Sequence, residues 1–69
     1  MRAILKKARL DKGLTQKQVA EYLEISERHY QHIEKGDRTG DFTLWDALED
    51  LFNVHQRVLR DNHDKQDNQ

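Results

Sequence analysis

The 69-residue chain contains no cysteine, no proline and only three glycines. Without cysteine there is no disulfide and no thiolate cage for zinc, so neither covalent nor metal staples are available to a chain this short. Without proline, helices must be ended by glycine and by polar capping residues. There is no Val/Ile/Thr-rich alternation and no hairpin dipeptide, which removes the sequence signals of strands. No apolar run approaches the roughly 20 residues that span a bilayer, and the N-terminal segment lacks the apolar stretch of a signal peptide; the expectation is a cytoplasmic protein that does not engage a membrane. Catalytic signatures are missing too. There is no nucleophile elbow, glycine-rich phosphate loop or HExxH spacing. His29 and His32 stand three apart, but no cysteine or regularly spaced carboxylate completes a metal site. Neither an enzyme nor a cofactor or metal is therefore expected.

What remains is helical periodicity. A domain of this size buries only roughly 60% of its unfolded surface, so close helix packing or a partner must stabilise it. The fold class is all-α, with one domain over residues 1–60 and a tail, residues 61–69, that holds no apolar residue and is expected to be disordered. A first helix spans about Arg2 to Asp11, with Ile4, Leu5 and Ala8 as its apolar stripe and Arg2, Lys6, Lys7 and Arg9 elsewhere; Gly13 supplies the left-handed exit. Thr15 and Gln18 form a capping box for the second helix, whose stripe is Val19, Ala20 and Leu23 with Tyr22 flanking. Only Glu24 and Ile25 separate that helix from the next N-cap, Ser26, so the two must cross steeply as in a helix-turn-helix, with its core at about residues 15–35. Gly36 closes the third helix. Asp41 caps a fourth, with Phe42, Trp45, Leu48 and Phe52 at helical spacing; Asn53 suits a left-handed exit, and Val54 to Arg60 gives a last short helix.

The third helix, "SERHYQHIEKG", raises the functional question. On a 3.6-residue wheel Tyr30 and Ile33 point inward, leaving Glu27, Arg28, Gln31, His32 and Lys35 outside. These are side chains that match base edges: Arg pairs bidentately with guanine, Gln with adenine, and Glu accepts from cytosine N4. Gln16 and Lys17, at the start of the second helix, can bind a phosphate there, and Lys35 with Arg38 can make a second backbone contact; phosphate contacts position and base contacts specify. The charge is unevenly spread. Residues 1–38 hold nine Lys and Arg against six acids, a net of +3, whereas residues 39–69 hold three against seven, a net of −4. A basic front suits nucleic acid, while the acidic rear also suits a protein partner, and ordinary solvated surface would look the same.

The stretch "ARLDKGLTQKQVAEYLEISERHYQHIEKGDR", continuing through "LWDALEDLFNV", resembles the Cro/C1-type (XRE, lambda-repressor-like) helix-turn-helix family. The matching features are Arg9, Gly13-Leu14-Thr15-Gln16, Val19-Ala20, Ser26 and Ile33-Glu34-Lys35-Gly36. The resemblance implies a compact five-helix bundle whose third helix enters the major groove of an operator. It implies base contacts from Glu27, Arg28 and His32, with Gln31 adjacent. Phosphate contacts would fall near Gln16, Ser26, Lys35 and Arg38, and an ion pair would join Arg9 to Glu34. The chain departs from the family pattern where Glu24 replaces the usual turn glycine, Tyr30 replaces an aliphatic residue, and Gly40 stands where proline is common. Two functions follow as alternatives: a sequence-specific regulator of transcription, most simply a repressor acting as a homodimer on a near-palindrome, or a protein-binding module of the same fold, such as an antitoxin or a switch adaptor of a phage or mobile element. A dimer would use the fourth and fifth helices, through Val54, Val58 and Leu59.

Overall fold

The computed structural model describes residues 1–62. Among them are five helices and no strand: α1 (Ala3–Asp11), α2 (Gln16–Leu23), α3 (Glu27–Lys35), α4 (Phe42–Phe52) and α5 (Gln56–Leu59). Asp61 and Asn62 of the expected polar tail are described; the remainder of the tail lies outside the described residues. No helix of the described residues is long and apolar enough to cross a membrane.

Local chemistry sets most of the boundaries. Thr15 Oγ1 accepts from the Gln18 amide at 3.0 Å while Gln18 Oε1 accepts from the Thr15 amide at 2.8 Å, so two otherwise orphaned donors are satisfied reciprocally. Ser26 Oγ accepts from the His29 amide at 3.0 Å, and Asp41 Oδ1 from the Leu44 amide at 2.9 Å. Gly36 leaves α3 at φ 102°, and Asn53 leaves α4 at φ 55°. Glu24 takes the left-handed conformation as well, at φ 61° and ψ 40°. The turn therefore has the geometry a glycine would give, and the missing glycine shows up as strain instead of altered shape. Gly40 has a different reason: a Cβ there would meet Leu44 Cδ2 at 2.6 Å, so any larger residue would require the Leu44 side chain to shift.

The core is one cluster built from Leu5, Val19, Ala20, Tyr30 and Ile33 of α1 to α3 with Leu44, Trp45, Leu48, Phe52 and Leu59 of α4 and α5. Two apolar expectations fail. Ile4 is 39% exposed and Phe42 is 75% exposed. Phe42 sits roughly a third of a turn from the centre of the stripe that Leu44, Trp45, Leu48 and Phe52 present inward. In α1 the inward stripe is centred on Arg2, Leu5 and Arg9, all buried; two of its three members are charged, and an apolar pattern misses it. The last helix is shorter than Val54 to Arg60, because His55 Nδ1 accepts from the Arg57 amide and starts the turn there.

Each of the two buried arginines makes three side-chain hydrogen bonds. The Arg2 guanidinium donates to the carbonyls of Ile33, Arg38 (2.8 Å) and Arg60 (3.1 Å), and lies 5.2 Å from the centre of the Trp45 ring. Its backbone amide donates to the Glu34 carbonyl at 2.9 Å. Burial, and then the charge of Arg60, hold its pKa below that of a free guanidinium. One side chain thus ties the entry of α1 to the end of α3, the following loop and the end of α5.

Arg9 makes a two-pronged ion pair with Glu34, Nε to Oε2 at 2.8 Å and Nη2 to Oε1 at 3.1 Å, with the side chains only 9% and 3% exposed. Arg9 Nη1 also donates to the Leu14 carbonyl at 2.9 Å, and Gln16 Nε2 to Glu34 Oε1 at 3.2 Å. Burial makes the pair much more consequential than an exposed one, which would contribute only about 0–1 kcal/mol: removing either half leaves a buried unpaired charge, at a cost of about 3–5 kcal/mol. The hydrogen bond to Glu34 raises the Arg9 pKa against the opposing effect of burial. Beside the pair, Tyr30 is fully buried and its hydroxyl makes no hydrogen bond among the described residues. Burial, followed by the charge of Glu34, pushes its pKa far above the ordinary tyrosine value.

These contacts generate three expected outcomes. Arg2→Ala lowers unfolding free energy in urea by about 2–3 kcal/mol, and Arg2→Lys restores little, because an ammonium cannot bridge three carbonyls held by a planar fork. Glu24→Gly raises stability by about 0.5 kcal/mol, the left-handed strain relieved being partly offset by glycine's greater backbone entropy. Tyr30→Phe is neutral or stabilising by up to about 1 kcal/mol at neutral pH, since it deletes a buried unsatisfied hydroxyl. It also changes the alkaline limb. The unfolded chain ionises Tyr30 near pH 10 while the folded chain keeps it protonated, so wild-type stability is intact below that pH and falls above it, by up to about 1.4 kcal/mol per unit. Parallel alkaline limbs for wild type and Tyr30→Phe would show that this hydroxyl titrates normally.

Candidate nucleic-acid interface

Three residues, Glu24, Ile25 and Ser26, join α2 to α3. Their path is fixed at both ends. The Glu24 amide donates to the Glu21 carbonyl at 3.1 Å and the Ile25 amide to the Ala20 carbonyl at 3.0 Å, while Ser26 caps α3. The rotation of α3 about its own axis is fixed in turn by what it buries: Tyr30 and Ile33 enter the core and Glu34 takes the Arg9 fork. At its far end the His32 carbonyl accepts from the amides of Gly36, Asp37 and Arg38 at 3.0, 3.1 and 3.3 Å. With one flank so held, the other is obliged to face outward.

That outer flank presents Glu27, Arg28, Gln31 and Lys35 as exposed side chains, with His32 half-buried. Gln31 Nε2 is 3.5 Å from Glu27 Oε2, a loose contact that leaves both groups available. A hollow of about 390 Å³ is lined by Ser26, Arg28, His29, His32 and Arg38, which brings four of the sequence-predicted site residues to one place. A second hollow, of about 410 Å³, lies between α1, the start of α2 and α3, and takes in Gln16, Gln31 and Lys35. Lys17 is exposed and lines neither.

Several roles are more constrained than the sequence suggested. The Ser26 hydroxyl is occupied as an acceptor by its own helix, which leaves its O–H free to donate. Gln16 spends one amide hydrogen on Glu34. Asp37, which the sequence reading passed over, lies 3.4 Å from His32 Nδ1 and 3.7 Å from Lys35 Nζ. Its carboxylate partly offsets the Lys35 ammonium and orients the His32 ring through Nδ1. Lys6 is a further omission, since it lines the second hollow from α1. Neither residue could be found from helix periodicity, because their neighbours come from other elements. Among the described residues no three His, Asp or Glu side chains are grouped to hold a metal ion.

Comparison with known proteins agrees with this geometry. A family model described as helix-turn-helix matches residues 5–55, spanning α1 to the turn before α5. Searches of curated proteins and of solved structures return no match. A three-residue turn between two capped helices, an outward polar flank on the second of them, and a family match over most of the chain lead to one conclusion: the chain belongs to the Cro/C1-type helix-turn-helix family of DNA-binding regulatory domains.

Proposed function

We propose that this protein is a sequence-specific transcription regulator that seats α3 in the major groove of an operator and represses by occupying it. The observation that carries the reading is the outward exposure of Glu27, Arg28, Gln31 and Lys35 on a helix whose opposite side is locked by Tyr30, Ile33 and Glu34. A major groove admits one helix, and each of those side chains has a complementary base edge or phosphate. Arg28 is the guanine reader and Gln31 the adenine reader, with Glu27 accepting from cytosine. His32, its Nδ1 turned toward Asp37, addresses the groove through Nε2. Gln16, Lys17, Ser26, Lys35 and Arg38 contact the backbone; the first amides of α2 and α3 have no acceptor within their helices and suit a phosphate.

One such helix reads only a few base pairs, so two copies on half-sites about 10 base pairs apart are needed for a useful operator. The apolar patch expected for a preformed dimer is smaller than the sequence suggested, because Leu59 is fully buried and only Val58, 40% exposed, remains largely uncovered on α5. Pairing therefore takes place on the DNA, with a solution dimer too weak to persist at working concentrations. A protein partner remains the second reading. A groove of about 510 Å³ between the helix-turn-helix corner and α4 is lined by Tyr22, Ile25, Leu44 and Ala47, and Tyr22 and Phe42 are 52% and 75% exposed.

Duplex titrations across a salt series separate the two. DNA reading predicts that log K falls linearly with log salt, by roughly 0.9 per phosphate neutralised; absence of binding at low salt leaves the protein partner. On a site selected from random duplexes, Arg28→Ala weakens binding by about 1–3 kcal/mol and relaxes the preference at one base pair, whereas Lys35→Ala weakens all sequences alike and lowers the slope by about one. Equal losses on selected and random DNA for Arg28→Ala would remove its assignment to a base.

A further inference from the structure

The hollow between α1, α2 and α3 contains a cation that neither the sequence reading nor the family assignment uses. Met1, Lys6, Gln16, Gln31 and Lys35 line its rim, and the buried Arg9 and Glu34 its interior side. The charges there do not cancel. Glu34 is fully engaged by Arg9 and Gln16, so it offers nothing to neutralise the two lysines. Lys35 has Asp37 at 3.7 Å, whereas Lys6 makes no ion pair among the described residues. The adjacent Lys7 differs in this respect, being paired with Asp11 at 2.9 Å on another part of α1. Gln16 is held by Glu34 with its second amide hydrogen unspent, and Gln31 belongs to the outward flank of α3. Two lysines and the spare amide hydrogen of Gln16, from three helices, thus line one concavity, with Gln31 at the edge it shares with the reading flank.

We propose that this hollow seats a single backbone phosphate of duplex DNA and that Lys6 is a binding residue for it. The inference rests on the DNA-binding reading and deepens it: α1, otherwise a packing helix, takes part in the contact and fixes how α3 is registered along the groove. A phosphodiester is the ligand that suits the site, since ammonium and amide donors supply hydrogen bonds and charge without base discrimination. Neutralising one more phosphate adds one more released counterion.

The test compares Lys6→Ala, Lys6→Arg and Lys7→Ala with wild type, each shown to fold by its thermal melt, in duplex titrations from low to moderate salt. Lys7→Ala makes the same charge change one residue away and serves as the reference. The expected result is that Lys6→Ala lowers the log K against log salt slope by roughly 0.9, equally for selected and random duplexes, that Lys6→Arg keeps the wild-type slope, and that Lys7→Ala leaves it unchanged. A Lys6→Ala slope equal to that of Lys7→Ala overturns the inference while leaving the function standing if Lys35→Ala still lowers it. Wild type that fails to bind duplex at low salt overturns the function and this seat together.

Discussion

The buried fork between Arg9 and Glu34 is the constraint on which the remaining architecture turns. An ion pair taken out of water is stabilising only when every hydrogen-bonding group of both partners is answered. Here Arg9 reaches Glu34 with two nitrogens and the Leu14 carbonyl with a third, and Glu34 receives Gln16 besides. Those requirements bring the entry of α2, the last turn of α1 and the last turn of α3 into a single arrangement. A hydrophobic contact in the same place would tolerate small rotations of α3; a planar fork does not. The outward flank of α3 therefore has a defined azimuth, and that azimuth decides which side chains can meet a ligand.

Charge on the outward surface is not simply positive. Glu27 and Asp37 stand among Arg28, His32, Lys35 and Arg38, and Asp37 lies close to two of them. A surface that mixes signs in this way holds nonspecific attraction down, so that discrimination depends more on individual hydrogen bonds than on overall field. This accounts for how a chain of net charge −1 can belong to a DNA-binding family: Asp41, Asp46, Glu49 and Asp50 sit on α4 and its cap, beyond the reading helix, while the cations that matter are supplied by α1, α2 and α3.

Much of the fold was legible because its signals are local. Thr15 with Gln18, Ser26, Asp41, Gly36 and Asn53 each act within a few residues, and all five terminate or start helices as their chemistry suggests. What was not legible depended on distant parts of the chain. Arg2 looks like an exposed terminal charge until the ends of α3 and α5 bring their carbonyls to it. Phe42 looks like core because it keeps helical spacing with Trp45, and only the position of Leu44 over Gly40 shows that the inward stripe begins on another side. The outward flank of α3 was readable from its wheel. Its neighbours Lys6 and Asp37 were not, since one comes from another helix and the other from the loop beyond Gly36.

The Arg2 clamp also governs how this small domain opens. α5 comprises four residues, far below the length at which a helix persists unaided, and would ordinarily fray first. Yet the Arg60 carbonyl shares one guanidinium with the carbonyls of Ile33 and Arg38, and Leu59 is sealed in the core. Releasing that last turn leaves a buried cation short of an acceptor and uncovers the centre at once, so fraying of the shortest helix is opposed by the same contacts that close the core.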